Sequence, residues 1–311
     1  MNDQVSIIIP TYHEEKNIVQ TLEHLLTAIK FSSLTTEVVI VDSSTNELTR
    51  MAIDTFSKAT GLMCEVIALT NKTFAGKARN IGVKHSQYQL LAFVDAGVYV
   101  SEDWLFELHK TLVDNNADIV WGKSEHKVTS IWQKAYIRSF YRANYTKRFI
   151  RSCMMKKEVF NHLNGFIEHV HAGEDINFYQ KVKQAKVVEK FADAQAYYSH
   201  YPDNIKQILK KWISFTADNV VAKQAKAKFI FVSLQFVIGL IVLILLINKQ
   251  DVGWLLLLIA ISLRVMFQFS AAKIKVTSLT ETLLTIFLIA IFDLARFIGL
   301  LLGVWRCVLM K

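Results

Sequence analysis

Cysteine and proline are both scarce in this 311-residue chain. The three cysteines, Cys64, Cys153 and Cys307, lie far apart without metal-ligand spacing. A cysteine-built metal centre is thereby excluded, and reduced structural thiols are expected. The two prolines, Pro10 and Pro202, each stand at an expected strand exit. Internal repeats and low-complexity linkers are also lacking. No signal-peptide pattern precedes the first strand, because Met1-Asn2-Asp3-Gln4 leads straight into it. The N-terminal part is therefore expected to stay in the cytoplasm. Net charge is +9, yet no basic stripe on a nucleic-acid-binding module is present. Nucleic acid is not expected as a partner. An anionic cytoplasmic leaflet accounts for the charge more simply.

Hydrophobic residues, by contrast, are abundant at 52 %, against the usual ~45–50 %. Three short apolar runs in the first hundred residues each stop on polar residues. Val5 to Pro10 meets Thr11-Tyr12-His13-Glu14-Glu15, Glu37 to Val41 ends at Asp42, and Gln89 to Val94 ends at Asp95-Ala96-Gly97. Such β-branched runs, spaced by helix-length segments, mark parallel strands buried on both faces. Helical periods over residues 15–30, 47–60 and 102–115, with strands at 64–70 and 117–123, complete a βαβαβαβαβ order. Residues 76–86 read as a loop entering a helix. The fold class is a doubly wound α/β sheet. Ligands of such sheets sit beyond the carboxyl ends of the strands, where this chain places its acids.

The hydrophobic excess lies after residue 228. Phe229 to Ile247 is an uncharged run close to the ~20 residues that cross a bilayer. Val252 to Ser270 is a second candidate span, carrying Arg264 and Gln268. A third, Leu283 to Trp305, contains Asp293 and Arg296 and is compatible either with a span or with a partly buried helix. These two charges are three residues apart and can pair on one helix face. Lys206, Lys210, Lys211, Lys223, Lys226 and Lys228 precede the first run, as expected of a cytoplasmic flank. Gly299 and Gly303 would permit close helix packing, within one chain or between two. Ile131 to Ile150 mixes aromatics with Arg138, Arg142, Lys147 and Arg148, followed by Arg151. That mixture suits a membrane interface or a lipid-phosphate acceptor, and equally an amphipathic helix covering the sheet. The expected organisation is a cytoplasmic domain over 1–225, with interfacial helices near 129–150 and 203–225. A membrane domain over 226–311 follows, with two to three spans near 229–247, 252–270 and 283–305.

The succession VSIIIPTYHEEKNI, VVIVDSS, GKARNIG, LLAFVDAG, NGF and GEDINF resembles the family-2 glycosyltransferases over roughly residues 4–215. The resemblance implies an inverting enzyme of the GT-A type. Its sheet would be mixed with mostly parallel strands, followed here by an α-helical membrane segment. It also implies a nucleoside diphosphate-sugar donor, with weak preference for uridine or guanosine. On this resemblance Pro10, Tyr12 and Glu14 hold the nucleoside and Asp42 its base or ribose, whereas a plain strand-end turn would also explain Asp42. Lys77, Arg79 and Asn80 approach the nucleotide, as cations at a helix N-terminus suit a diphosphate. Asp95 resembles the first acid of the metal-binding Asp-x-Asp pair, and Gly97 replaces the second. A divalent cation, Mg²⁺ or Mn²⁺, is implied with a weakened site, and His200 resembles a late histidine near the metal. Asp175 is implied as the catalytic base, with Glu174 orienting it or contacting the acceptor. Gly165 and Phe166 resemble an acceptor-side loop. Lys211-Trp212 partly matches an Arg-Trp pair of processive synthases, which makes Trp212 a candidate substrate contact.

A sugar-phosphate nucleotidyltransferase shares such a sheet but needs a glycine-rich loop after the first strand, and PTYHEE has no glycine. The remaining alternative is a non-catalytic membrane scaffold on a decayed transferase domain, prompted by Gly97. The expectation is a multi-pass cell-membrane enzyme with its catalytic domain in the cytoplasm. It would move one sugar to a lipid-linked or membrane-proximal acceptor for cell-surface glycan.

Overall fold

A computed structural model describes residues 3–128, 130–140, 148–199, 201–202, 204–221, 241, 244–245, 247–248, 251–272 and 278–309. The chain divides into two compact units. The first is Met1–Lys127 with Thr146–His200, and the second is Val128–Tyr145 with Tyr201–Lys311. The boundary expected near residue 225 lies inside the second unit. That unit also takes in the segments expected to be interfacial helices of the first domain.

The first unit is built on β1 (Gln4–Thr11), β2 (Thr35–Asp42), β3 (Cys64–Ala68), β4 (Leu90–Phe93), β5 (Val98–Val100), β6 (Ile119–His126), β7 (Cys153–Lys156) and β8 (Glu189–Tyr198). They form one mixed eight-stranded sheet in the order β3-β2-β1-β4-β7-β6-β8-β5. β1, β2, β3 and β4 pair in parallel, as do β6 and β8. β7 runs antiparallel to β4 and β6, and β5 antiparallel to β8. Alternate residues of each central strand enter opposite cores. Val5, Ile7 and Ile9 pack with Leu22 and Leu25 of α1 (Ile18–Ser32), Phe56 of α2 (Leu48–Thr60) and Leu108 of α4 (Trp104–Asp114). Ile8 faces the other way, in a core shared with Val83 of α3 (Ala75–His85), Phe160 of α6 (Lys157–His162) and Phe178 of α7 (Glu174–Ala185). The sheet is therefore covered on both faces, which is why its strands read as continuous apolar runs. One correction concerns residues 76–86, which are helix from Ala75 onward rather than a loop entering one.

The second unit contains α5 (Ile131–Phe140), α8 (Ile205–Val221) and two longer helices, Asp251–Ala272 and Leu279–Leu309. Both longer helices are long and apolar enough to cross a membrane. Along Asp251–Ala272 the side chains of Leu255, Leu258, Leu263 and Met266 are exposed. Leu279–Leu309 instead buries a stripe of Thr285, Leu288, Phe292, Ala295, Gly299 and Gly303. A β-carbon on Gly299 would lie 2.6 Å from the Ile213 carbonyl oxygen, and one on Gly303 2.6 Å from Val220 Cβ. The two glycines thus serve packing within the chain, against α8. Arg264 grips Asp293 with two hydrogen bonds of 2.7 and 2.9 Å, and Arg296 adds a third of 3.1 Å. The expected Asp293–Arg296 pair forms and is joined by a cation from the neighbouring helix. The run 229–247 falls almost wholly outside the described residues.

Candidate active site

The exits of β1, β2 and β4 and the N-termini of α3 and α7 carry the polar residues of the first unit. α3 presents Arg79, which is buried and reaches in two directions. Its Nη2 donates to Asp95 Oδ1 at 2.6 Å, just past β4, and its Nη1 to Glu174 Oε1 at 3.0 Å, the first residue of α7. Burial works against the guanidinium charge, but the two carboxylates outweigh it and hold Arg79 above its ordinary pKa. The Arg79 plane also lies over the Phe166 ring, 5.5 Å from its centre. Phe166 is itself packed among Phe93, Phe160 and Phe178.

Asn80, the next residue of α3, fixes the Gly165-Phe166 loop through its amide. Its Nδ2 donates to the Phe166 carbonyl and its Oδ1 accepts the Phe166 N–H, each at 2.9 Å. Nδ2 also donates to Glu168 Oε1 at 2.9 Å. Gly165 has φ +51° there, and a β-carbon on it would fall 2.6 Å from Asn80 Oδ1. Position 165 thus needs glycine for both conformation and space. Lys77 projects from the exposed side of the same helix.

Asp175 follows Glu174 in the first turn of α7, and its Oδ1 accepts the Ile176 N–H at 2.7 Å. Burial, the largest cause, and the Glu174 charge raise its pKa from 3.8 to about 6. The Ile176 N–H, Arg79 and Arg151 pull the other way. A carboxyl poised near neutral pH is what a general base requires.

At the β1 and β2 exits, Asp42 is wholly buried. Its Oδ1 accepts from Thr11 Oγ1 at 2.9 Å and from Ser44 Oγ at 2.6 Å, and its Oδ2 from Arg50 Nη1 at 2.7 Å. These contacts tie Asp42 to Ser44 and to Arg50, whose side chain remains 25 % exposed. Pro10 sits one residue before the end of the β1–β2 ladder, opposite Val41. Tyr12 is exposed, with Lys72 Nζ 4.5 Å over its ring. The Glu14 carboxylate accepts from Asn17 at 2.8 Å, while its carbonyl accepts the Ile18 N–H at the start of α1.

Trp212 lies in the second unit. It is buried there at 4 % exposure, with its indole N–H donated to Tyr136 Oη at 3.1 Å and its ring against Phe292. His200 lies outside the described residues.

For a divalent cation the described residues offer little. They contain no group of three or more His, Cys, Asp or Glu side chains that could hold one. Asp95 is 32 % exposed and keeps Oδ2 free of the Arg79 contact. Gly97 adopts φ +83° and donates its N–H to Thr21 Oγ1 at 2.8 Å, so this backbone suits glycine and disfavours a second acid.

Sequence reasoning missed three cations, Lys72, Arg50 and Arg151. Arg50 carries no motif at all. Arg151 follows the aromatic and basic stretch in sequence, but in the fold its charge acts on Asp175. Its charge also acts on His126, where burial first and Arg151 second push the imidazole down to about 4.

The doubly wound sheet with an acid past β4 and an acid pair opening α7 defines a protein of the nucleotide-sugar transferase type. Comparison with known proteins agrees. The pattern "Glycosyl transferase family 2" matches residues 6–169, and the chain belongs to that family. Glycosyltransferase GlyG of Streptococcus pneumoniae is 25 % identical over 122 residues, which cover 39 % of each protein. The crystal structure of S. aureus TarS 1–349 in complex with UDP-GlcNAc superposes with a TM-score of 0.51 at 18 % identity, covering 72 % of this chain and 69 % of that one. Mannosyltransferase PcManGT from Pyrobaculum calidifontis, in complex with GDP-Man and Mn²⁺, gives 0.59 at 16 % identity, covering 97 % and 87 %. At these identities the two structures share the fold.

Proposed function

We propose that this chain is a membrane-anchored inverting glycosyltransferase, moving one sugar from a nucleoside diphosphate to a lipid-linked or membrane-proximal acceptor. The observation that carries the reading is the Arg79 bridge. One buried guanidinium joins the acid at the β4 exit to the acid pair of α7, and Asp175 of that pair is held near neutral pKa. The acceptor oxygen attacks the anomeric carbon opposite the leaving diphosphate. The bond to the diphosphate oxygen breaks as the new glycosidic bond forms, and the acceptor proton passes to Asp175. Glu174, through Arg79, is a positioning residue. Tyr12, Lys72 and Arg50 line the nucleoside side, and Lys77 supplies charge for the diphosphate. The UDP-GlcNAc and GDP-Man complexes of the two structural neighbours favour a uridine or guanosine donor.

A divalent cation would be held by Asp95 Oδ2 together with the donor's own oxygens, and it would neutralise the departing diphosphate. The two long apolar helices support an anchor, and the lysines of α8 support a cytoplasmic catalytic unit. The deciding experiment incubates the full chain in detergent with radiolabelled UDP- and GDP-sugars and lipid extract. Transfer abolished in Asp175→Asn, with nucleotide binding retained, is the expected result. A wild-type chain that binds no nucleotide would instead support the scaffold reading that Gly97 prompts.

A further inference from the structure

The first unit has four arginines among its described residues, and three of them face acids. Arg50 meets Asp42, Arg79 meets Asp95 and Glu174, and Arg148 meets Glu189. Arg151 has no carboxylate within ion-pair distance among the described residues. It belongs to the 3₁₀ turn Ile150–Ser152 that leads into β7. Its Nε donates to Ser124 Oγ at 3.0 Å. Its guanidinium carbon lies 5.1 Å from the centre of the Phe149 ring and 5.0 Å from that of Tyr198. Ser124 and His126 are two apart on β6 and share a face, and His126 is paired with Tyr198 of β8.

These contacts fix one edge and the plane of the guanidinium and leave its two terminal nitrogens, the fork that matches an oxyanion. Two cations act on Asp175, Arg79 and Arg151; the charge of Arg79 is already met by two acids, which leaves Arg151 with capacity to spare. Ordinary surface arginines are solvated and mobile. This one is held between two rings with a hydrogen bond on its third side, and its charge reaches the buried Asp175. An acceptor hydroxyl must reach Asp175, so a group held at Arg151 belongs to the acceptor rather than to the donor.

We infer that Arg151 binds an oxyanion carried by the acceptor, a phosphate ester or a carboxylate, and so positions the acceptor hydroxyl at Asp175. The inference rests on the reading of Asp175 as the base. Isothermal calorimetry on the full chain in detergent tests it, with the donor site first filled with UDP or GDP, whichever binds. Titrants are citronellyl phosphate, glycerol 3-phosphate and glucuronate, with citronellol and glycerol as uncharged controls. At least one oxyanion is expected to bind while its uncharged control does not. Arg151→Gln should weaken that binding tenfold or more, and Arg151→Lys should recover part of the loss. Nucleotide affinity should stay within twofold, which also shows that the variants fold. Binding of citronellyl phosphate alone identifies a lipid phosphate, equal binding of glycerol 3-phosphate a soluble phosphate ester, and binding of glucuronate a carboxylate. The inference is overturned if no oxyanion binds, if the controls bind as tightly, or if Arg151→Gln binds as tightly as wild type. A chain that binds neither nucleotide sinks the glycosyltransferase reading, while the oxyanion titrations still judge Arg151.

Discussion

Replacing Asp175 with asparagine should make the protein more stable and catalytically dead. The carboxyl is buried beside Glu174 and titrates at about 6 instead of 3.8. Between those values the folded chain keeps a proton that the unfolded chain releases. Stability therefore falls as pH rises through this window, and the full cost is present above pH 6. At 1.36 kcal/mol per pH unit the cost is about 3 kcal/mol. Asparagine carries no charge and retains an oxygen for the Ile176 N–H, so it removes the cost without losing the hydrogen bond. For a domain of this size about 3 kcal/mol raises the midpoint of thermal unfolding by roughly 5–10 °C. Unfolding of the wild type and Asp175→Asn in detergent, followed at pH 4 and pH 8, should show a gap at pH 8 that largely closes at pH 4. Transfer by the variant should fall by about 10²–10⁴, and the wild-type rate should drop with a one-proton limb below about pH 6. A gap of equal size at both pH values, or an active asparagine variant, would refute the reasoning.

Other outcomes follow from the same geometry. Arg79→Lys keeps a charge but cannot bridge Asp95 and Glu174 together; it should cost about 3–5 kcal/mol in chemical unfolding, as breaking a buried ion pair does, and reduce transfer with it. Gly165→Ala forces a β-carbon against Asn80 Oδ1 at an unfavourable φ and should destabilise by about 1–3 kcal/mol. Pairing it with Asn80→Ala should recover part of that loss, which a double-mutant cycle measures. Gly97→Asp should not tighten Mn²⁺ binding in a calorimetric titration, and should lower stability by about 1–2 kcal/mol because of its φ of +83°.

The central sheet was legible because strands buried on both faces have no choice but to be apolar, and β1, β2 and β4 carry the runs Ile7-Ile8-Ile9, Val38-Val39-Ile40-Val41 and Leu90-Leu91-Ala92-Phe93. β7 escaped notice: Cys-Met-Met-Lys has neither alternation nor β-branching, and only its antiparallel partners make it a strand. The acids at strand ends were visible as residues, but their partners were not. Asp42 looks the same in sequence whether it faces a ligand or, as here, Thr11, Ser44 and Arg50. Arg79 meets Glu174 across 95 positions, a contact no local pattern encodes. The burial of Trp212 against Tyr136 and Phe292 was hidden for a related reason, since its partial match to an Arg-Trp pair says nothing of its packing partners.

Because a single guanidinium answers to both Asp95 and Glu174, the donor and acceptor sides of the proposed site cannot be tuned independently. Any ion or diphosphate that competes for Asp95 loosens Arg79, and the disturbance arrives at once beside the residue assigned to accept the proton. On the proposed mechanism, loading of the sugar nucleotide and readiness of the base are thereby wired to the same side chain.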